Sequence, residues 1–359
     1  MRASNEWANR PDDQRFLTLH DLEMATGKRK AQSHSVVCDT DQAVILGDDV
    51  HYMVQAVLVD RDQEQHVIQP TNWGFNQLCQ LAGAPPSYMR TLPPSFLANN
   101  LNWGFHQPVN RAVFSPLLRK VGGKEDMLRA ITSPSYGRIW DVDVVRAIEA
   151  LNQDDRWQVP HASYASSDPL QATTLYASDR DIFIFLVDPS NAVEVDGKSY
   201  YRGFFTWNSE VGDKTFGLCT FLYSYVCDNR IIWGATNIKE LRIRHNSLAP
   251  ERFASEFSHA LQEYSQEGTK LLTAGIKAAK EKELKQAKND ETLVDWLRKQ
   301  GLTKEQAEGS IKKAEVEEGQ VASLWDIIQG ITAYARNIQW ADQRVELEEK
   351  AGQLMKLVV

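Results

Sequence analysis

The sequence predicts an α+β fold: an antiparallel β-meander packed by a long helix, with a helical C-terminal region. Three observations predict it. Between Ser35 and His245, short apolar runs alternate with turn residues, the pattern of strands and hairpins. From Pro250 the period changes, and Phe253, Phe257, Leu261 and Tyr264 form one helical stripe. From Lys277 to Gln320 Lys, Glu, Ala and Gln dominate, with 10 basic and 10 acidic residues. That composition fits a solvated helical segment, broken near Gly301.

In chain order, residues 1–34 read as a polar N-terminal arm, 35–276 as the α+β core and 277–359 as the helical region. "SVVCDTDQAVILG", "VHYMVQAVLVD" and "HVIQPTNW" read as strands. "FNQLCQLAG" reads as a helix ended by Gly83, and the prolines of "APPSYMRTLPP" break helix and strand alike. "NWGF" occurs at Asn72–Phe75 and Asn102–Phe105, but the flanks differ and no repeat follows. "AVFSPLLRKV" is a strand, and Val142, Val145, Ile148 and Leu151 share one helix face. "TTLYASDRDIFIFLVDP" reads as two strands joined at Ser178–Asp179. Strands at 200–208, 215–227, 230–235 and 240–245 complete the meander, with the long helix after them.

The composition bounds the function. The chain has 359 residues, 42% hydrophobic and 25% charged, with net charge -8. It is no polybasic binder overall, although an acidic protein can hold a basic groove. No run of 18 apolar residues predicts a membrane helix. "MRASNEWANRPDDQRF" does not read as a signal peptide, so a cytoplasmic location is expected. There Cys38, Cys79, Cys219 and Cys227 stay reduced. Cys219 and Cys227 lie eight apart, on one face of a strand, without the close partner that a zinc site uses. They read as packing residues.

No nucleotide-binding glycine loop, zinc-protease helix or nucleophile elbow is present. "KVGGKED", with Lys120 and Lys124 beside two glycines, reads as a loop before a helix. Asp141/Asp143 and Asp179/Asp181 read as turn and helix-start residues. The expectation is a protein that is not an enzyme and needs no cofactor or metal. A metal-dependent nucleic-acid enzyme built on the scattered Asp residues is the least favoured alternative.

Two features point to binding. In Gly217–Cys227 the odd positions carry Cys219, Phe221, Tyr223, Tyr225 and Cys227, an aromatic face beside a smaller one. Such a face is either core or a platform on which unpaired bases stack. In "KELRIRH", Arg242 and Arg244 point one way, Leu241 and Ile243 the other. Residues 199–245 hold 6 basic and 4 acidic residues, against -8 for the whole. A salt-bridged surface and a phosphate-holding one both fit. On the second reading Arg202, Lys214, Arg230, Arg242, Arg244 and His245 hold phosphates, while Tyr223, Tyr225 and Trp233 stack.

"LCTFLYSYVCDNRIIWG", "ELRIRHNSLAPERF", "SPSYGRIWDVDVVRAI" and "SLWDIIQGITAYARN" together resemble the phage/plasmid-like family called domain of unknown function 932. The sequence has Asp228 and Ser247 where that family's pattern has other residues. The order of hairpins then helix over 200–288 is also similar to the β-β-β-α core of single-strand annealing proteins. The resemblance implies a phage or mobile-element protein that binds single-stranded DNA in recombination or replication. It further implies a homo-oligomer, such as a ring, working without a nucleotide cofactor in the host cytoplasm. The alternative is a non-enzymatic module that docks a host or replication partner through its helical tail.

Overall fold

The computed structural model describes residues 11–121, 125–159, 173–195, 198–224, 229–231, 240–266, 269–285, 289–338 and 341–358. Two sheets and a C-terminal helical layer make up the fold, a mixed α+β architecture.

The N-terminal segment contains β1 (Arg15–Phe16), α1 (Leu19–Ala31) and β2 (Ser33–Ser35). Thr18 caps α1 by accepting the Asp21 N–H at 3.0 Å. The loose arm expected for this segment is corrected here. Leu22 is fully buried, in one core with Val144, Val145 and Ile148. Leu22 and Thr26, one turn apart, are the buried positions of α1, and the rest of the helix is polar or partly exposed.

Next comes a small barrel of β3 (Cys38–Asp48), β4 (Met53–Asp60) and β5 (Gln65–Pro70). The helices α2 (Asn72–Leu81), α3 (Pro86–Met89) and α4 (Pro94–Phe105) follow, then β6 (Val113–Val121) and β7 (Glu125–Thr132). The pairings β3–β4, β4–β5, β5–β7, β7–β6 and β6–β3 close on themselves, all antiparallel except β5–β7. Relabelled along this barrel, the strands run 1-2-3-5-4, with helices between the third and fourth. That is the strand order of the OB-type Greek-key barrel, a likeness of topology that carries no function by itself.

β3 is shared. Its start pairs with β6 through Cys38 and Asp39, and its later part pairs with β4 from Ala43 to Asp48. The outer edge of that later part is closed by a side chain. Asn102 of α4 donates to the Ile45 carbonyl at 2.9 Å, and its own carbonyl accepts the Ile45 N–H at 2.7 Å. The amide thus stands in for a missing strand. Leu78, Leu97, Leu101 and Phe105 fill the interior against Ile45, Leu58, Ile68 and Leu128. The strand β7 corrects the expectation of a helix after "KVGGKED".

The second sheet runs β1, β8 (Leu175–Ala177), β9 (Ile182–Val195), β10 (Lys198–Asn208), β11 (Phe216–Ser224) and β12 (Asn229–Ile231). The last strand, β13 (Glu240–Ile243), departs from a simple meander. It pairs with β11 at Phe216–Cys219, along the edge that β12 uses at Leu222–Ser224. One face packs under α5 (Asp141–Leu151) and α6 (Ala249–Gln266). The expected stripe of Phe253, Phe257, Leu261 and Tyr264 is buried there. Phe216 meets Phe253 and Phe257 edge-on, at 4.9 and 5.3 Å, a favoured ring geometry.

The opposite face is also buried. Phe183, Phe185, Phe205, Trp207 and Cys219 are each less than a tenth exposed. A β-carbon on Gly217 would sit 1.9 Å from the Trp207 ring, so only glycine lets that indole lie across β11.

The C-terminal layer comprises α7 (Thr269–Glu281), α8 (Asp290–Lys299), α9 (Lys304–Glu318), α10 (Leu324–Arg336) and α11 (Ala341–Leu354). The expected break falls at Gly301, whose φ of +94° suits a glycine at a helix end. Thr303 with Gln306 and Ser323 with Asp326 form capping boxes that start α9 and α10. The layer is not solvated on all sides. Leu293, Leu297, Ile311, Trp325 and Ile328 build a core of their own with Val193, Val195 and Tyr200 of β9 and β10. Tyr200 packs edge-on against Trp325 at 5.6 Å. A boundary at residue 276 therefore runs through a shared core, because Ile276 and Ala279 sit in it too. Among the described residues no helix is long and apolar enough to cross a membrane.

Candidate binding surfaces

The predicted phosphate grip disperses when folded. Arg202 is buried, and its Nη1 donates to the Ser265 carbonyl at 3.2 Å. It ties the sheet to the end of α6 and is withdrawn from any groove. Lys214 is withdrawn as well, because its ammonium pairs with the buried carboxylate of Asp181. His245 stacks on Tyr136 at 4.9 Å, and its Nδ1–H donates to the Gly137 carbonyl at 3.1 Å. Burial pushes its pKa down to about 4, so it is neutral at pH 7 and offers no charge to a phosphate.

Two of the predicted residues stay exposed, although β13 ends before the second of them. Arg242 and Arg244 are exposed, while Ile243 between them is buried and Leu241 is half-buried. For Tyr223 and Arg230 the backbone is described: they are partners across β11 and β12. Tyr225, Trp233 and Cys227 lie outside the described residues. Cys219 is buried, as a packing residue should be. Cys38 and Cys79 are buried too, and burial raises their thiols to about 12 and about 11. Such thiols are inert rather than nucleophilic.

A dense set of buried charges was not foreseen. It sits where barrel, sheet and α5 meet. Arg129 of β7 donates to Glu210 Oε2 at 2.7 Å, with both side chains almost wholly buried. Glu210 Oε1 accepts the Asp141 N–H at 3.0 Å. Asp141 accepts from Asn208 Nδ2 at 2.8 Å and lies 3.6 Å from Arg29. Arg29 also donates to the Ser178 carbonyl, and Arg138 to that of Glu210. Burial, with Glu210 close by, holds the Asp141 carboxyl well above the usual carboxylate range. Burial lowers Arg138 to about 10. Each of these carboxylates has its donors within the protein. The cluster is a junction that fixes one half of the molecule to the other, and it presents nothing to a substrate.

Among the described residues two groups of three carry cation-type ligands, His20 with Glu23 and Glu149, and Asp60 with Glu64 and His66. Asp60 accepts the N–H groups of Asp62 and Glu64 and lies 2.9 Å from His66 Nε2, which shapes the β4–β5 turn. Glu23 takes the Arg146 guanidinium at 2.6 Å. Between α8 and α9 runs a groove of about 700 Å³ over Val294 and Ile311. Two ion pairs lie on its walls, Arg298 with Asp295 and Lys304 with Glu308.

Another open surface is on the barrel. Val44, Val57 and Val67 are neighbours across β3, β4 and β5, on the side facing away from the core. Val44 and Val67 are 43% and 49% exposed, and Leu46 and Met53 stand out on the same side. At the hairpin tip Val50 and Tyr52 are more than four-fifths exposed. The charge here is one-sided. Residues 38–70 hold seven acids (Asp39, Asp41, Asp48, Asp49, Asp60, Asp62 and Glu64) against Arg61 alone, a net of -6. In OB-type barrels this face takes oligonucleotides. Here its charge opposes phosphate.

The surface was readable in part. Strand "VHYMVQAVLVD" is apolar on both sides, which the alternation shows without telling which side stays open. Comparison with family models, with curated proteins and with solved structures gave no match for this chain.

Proposed function

We propose that this chain is a non-enzymatic binding protein of a mobile genetic element that holds single-stranded DNA during recombination or replication. One observation carries the reading: Arg242 on β13 and Arg244 just beyond its end are both exposed, on either side of the buried Ile243. β12 and β13 follow one another along a single edge of β11, which aligns the backbone of Arg230 with that of Arg242. The likeness of these segments to a phage-borne family supports the mobile-element setting, and that of their order to annealing proteins supports the same ligand. It also supports a homo-oligomer, to be checked by light scattering. The grip is smaller than the sequence suggested, because Arg202, Lys214 and His245 serve the fold.

The test is a titration with a labelled single strand of about 40 nucleotides across a salt series. Binding should weaken with a log–log slope of about -0.7 per phosphate contact. The Arg242→Ala, Arg244→Ala variant should lose affinity for all sequences alike and flatten that slope by roughly one to two contacts. No binding at low salt, or an unchanged slope in a folded variant, would sink this reading. A second reading, a module that docks a protein partner, is favoured by a separate observation: the open apolar row of the barrel.

A further inference from the structure

We propose that the outer face of β3, β4 and β5 docks an amphipathic protein helix with basic residues flanking its apolar stripe. The inference rests on the second reading above and names the partner's chemistry. It is independent of whether β13 binds DNA.

Shape comes first. Strands lie about 4.8 Å apart, so the row Val44–Val57–Val67 is about 10 Å wide, close to the diameter of a helix. Strand addition is not open to a partner here. The barrel closes on itself, and Asn102 occupies the free edge of β3 at Ile45. What remains for a partner is side-chain contact, which an amphipathic helix makes with residues at i, i+3, i+4 and i+7.

Charge decides between occupants. The acids gather at both ends of β4. Asp48 and Asp49 lie at the β3–β4 hairpin, Asp62 and Glu64 at the β4–β5 turn. Asp48 and Asp49 accept hydrogen bonds from His51 and Ser95. A second copy of this chain would bring another net of -6 against the first. Nucleic acid and anionic lipid are repelled for the same reason. A partner with Lys or Arg at both ends of an apolar stripe meets an acidic group at each end and valines between them. The eight residues of β4 span about 26 Å, the length of roughly 17 helical residues.

The experiment uses the full chain and three fluorescent peptides of about 18 residues. One is a Leu/Ala amphipathic helix with Lys at both ends, one has the same stripe with Glu at both ends, and one has the Lys peptide's composition with its stripe scrambled. Anisotropy is read across a salt series. The Lys peptide should bind at least ten times more tightly than either of the others. The Val44→Asn, Val67→Asn variant keeps the charge, and it should weaken the Lys peptide about tenfold. The Asp62→Asn, Glu64→Gln variant should weaken it less and flatten its salt dependence. Circular dichroism and thermal midpoints show that the variants are folded. Equal affinity for the Lys and scrambled peptides, or no loss in the valine variant, would overturn the proposal by showing attraction of charge alone. Tighter binding of the Glu peptide would overturn the chemistry assigned to the partner but keep the docking reading. Failure of all three peptides to bind would remove both, and the DNA titration would stand unaffected.

Discussion

The barrel and the open sheet are both largely antiparallel, yet they expose opposite chemistry. The sheet buries both of its faces: Phe204, Phe216 and Ile243 on one, Phe183, Phe205 and Trp207 on the other. Arg242 and Arg244 lie on its exposed margin. The barrel buries its inward set, Ala43, Ile45, Ala56, Leu58 and Ile68, and leaves valines open among acids. A closed barrel needs only its lumen filled, so the apolar residues outside it are surplus to folding. The aromatics of the sheet are not surplus. Substitutions at these two places, and at the junction between them, should differ in a set order.

The junction should show the largest effect. Arg129→Met leaves Glu210 buried without its guanidinium, and removing one partner of a buried pair costs about 3–5 kcal/mol. The double variant Arg129→Met, Glu210→Met leaves no orphaned charge and should be less destabilised than the single one. Urea unfolding of the three proteins would show this. If the single variant melts with the parent, the cluster does not join the two halves.

Next is the buried face of the sheet. Phe205→Ala should cost about 3–5 kcal/mol, because the ring lies between Phe183 and Trp207 with no route for the site to collapse. A cost under about 1 kcal/mol would mean that this face opens in solution, and the stacking platform would return as a reading.

His245 should give a smaller effect, seen in pH rather than at one pH. Its folded pKa is lowered to about 4 from the ordinary 6.5, so the unfolded chain binds more protons between those values. Stability from this group is fully present above pH 6.5 and is lost as pH falls toward 4, about 3 kcal/mol in all. Asp141 works in the opposite sense. Its raised carboxyl favours the folded state most at low pH, and that favour fades as pH rises. The parent is therefore compared with His245→Phe, which keeps the ring on Tyr136 and cannot titrate. The variant's stability should be flatter between pH 4 and 6.5. Parallel curves would show that His245 is protonated without cost.

Much of the fold was legible, and the limits have physical causes. The α6 stripe, the strand pattern from β3 to β6 and the alternation of Arg242 with Ile243 are local, and periodicity reports them. Arg202 and Lys214 look like surface cations in the sequence, but their fates depend on Ser265 and Asp181, far along the chain. β7 was hidden because its pairing with β6 slips at Arg129, which is buried at the junction, so the strand shows no clean alternation. α4 was hidden by Pro93 and Pro94, which read as breakers yet suit a helix start. The junction needed Arg29, Arg129, Asp141 and Glu210 together, and no spacing in one strand or helix announces it.

The smallest effect should be the most diagnostic. Val67→Thr on the barrel exchanges a methyl for a hydroxyl of the same shape at a site that water already reaches. The side chain makes part of a row with Val57 and Val44, but that row is not sealed from solvent. Surface changes of this kind stay within about 0.5 kcal/mol, and Val44→Thr should do likewise. The pair together should be nearly additive, since both sites remain hydrated. A buried valine replaced by threonine behaves differently, because its hydroxyl must give up water. If Val44→Thr, Val67→Thr lowers stability by 2 kcal/mol or more in urea unfolding, the row is covered in solution. The contrast between barrel and sheet would then be lost, and the face would have no room for a partner. If the protein unfolds like its parent, the row is open to water in solution, as contact with a partner requires.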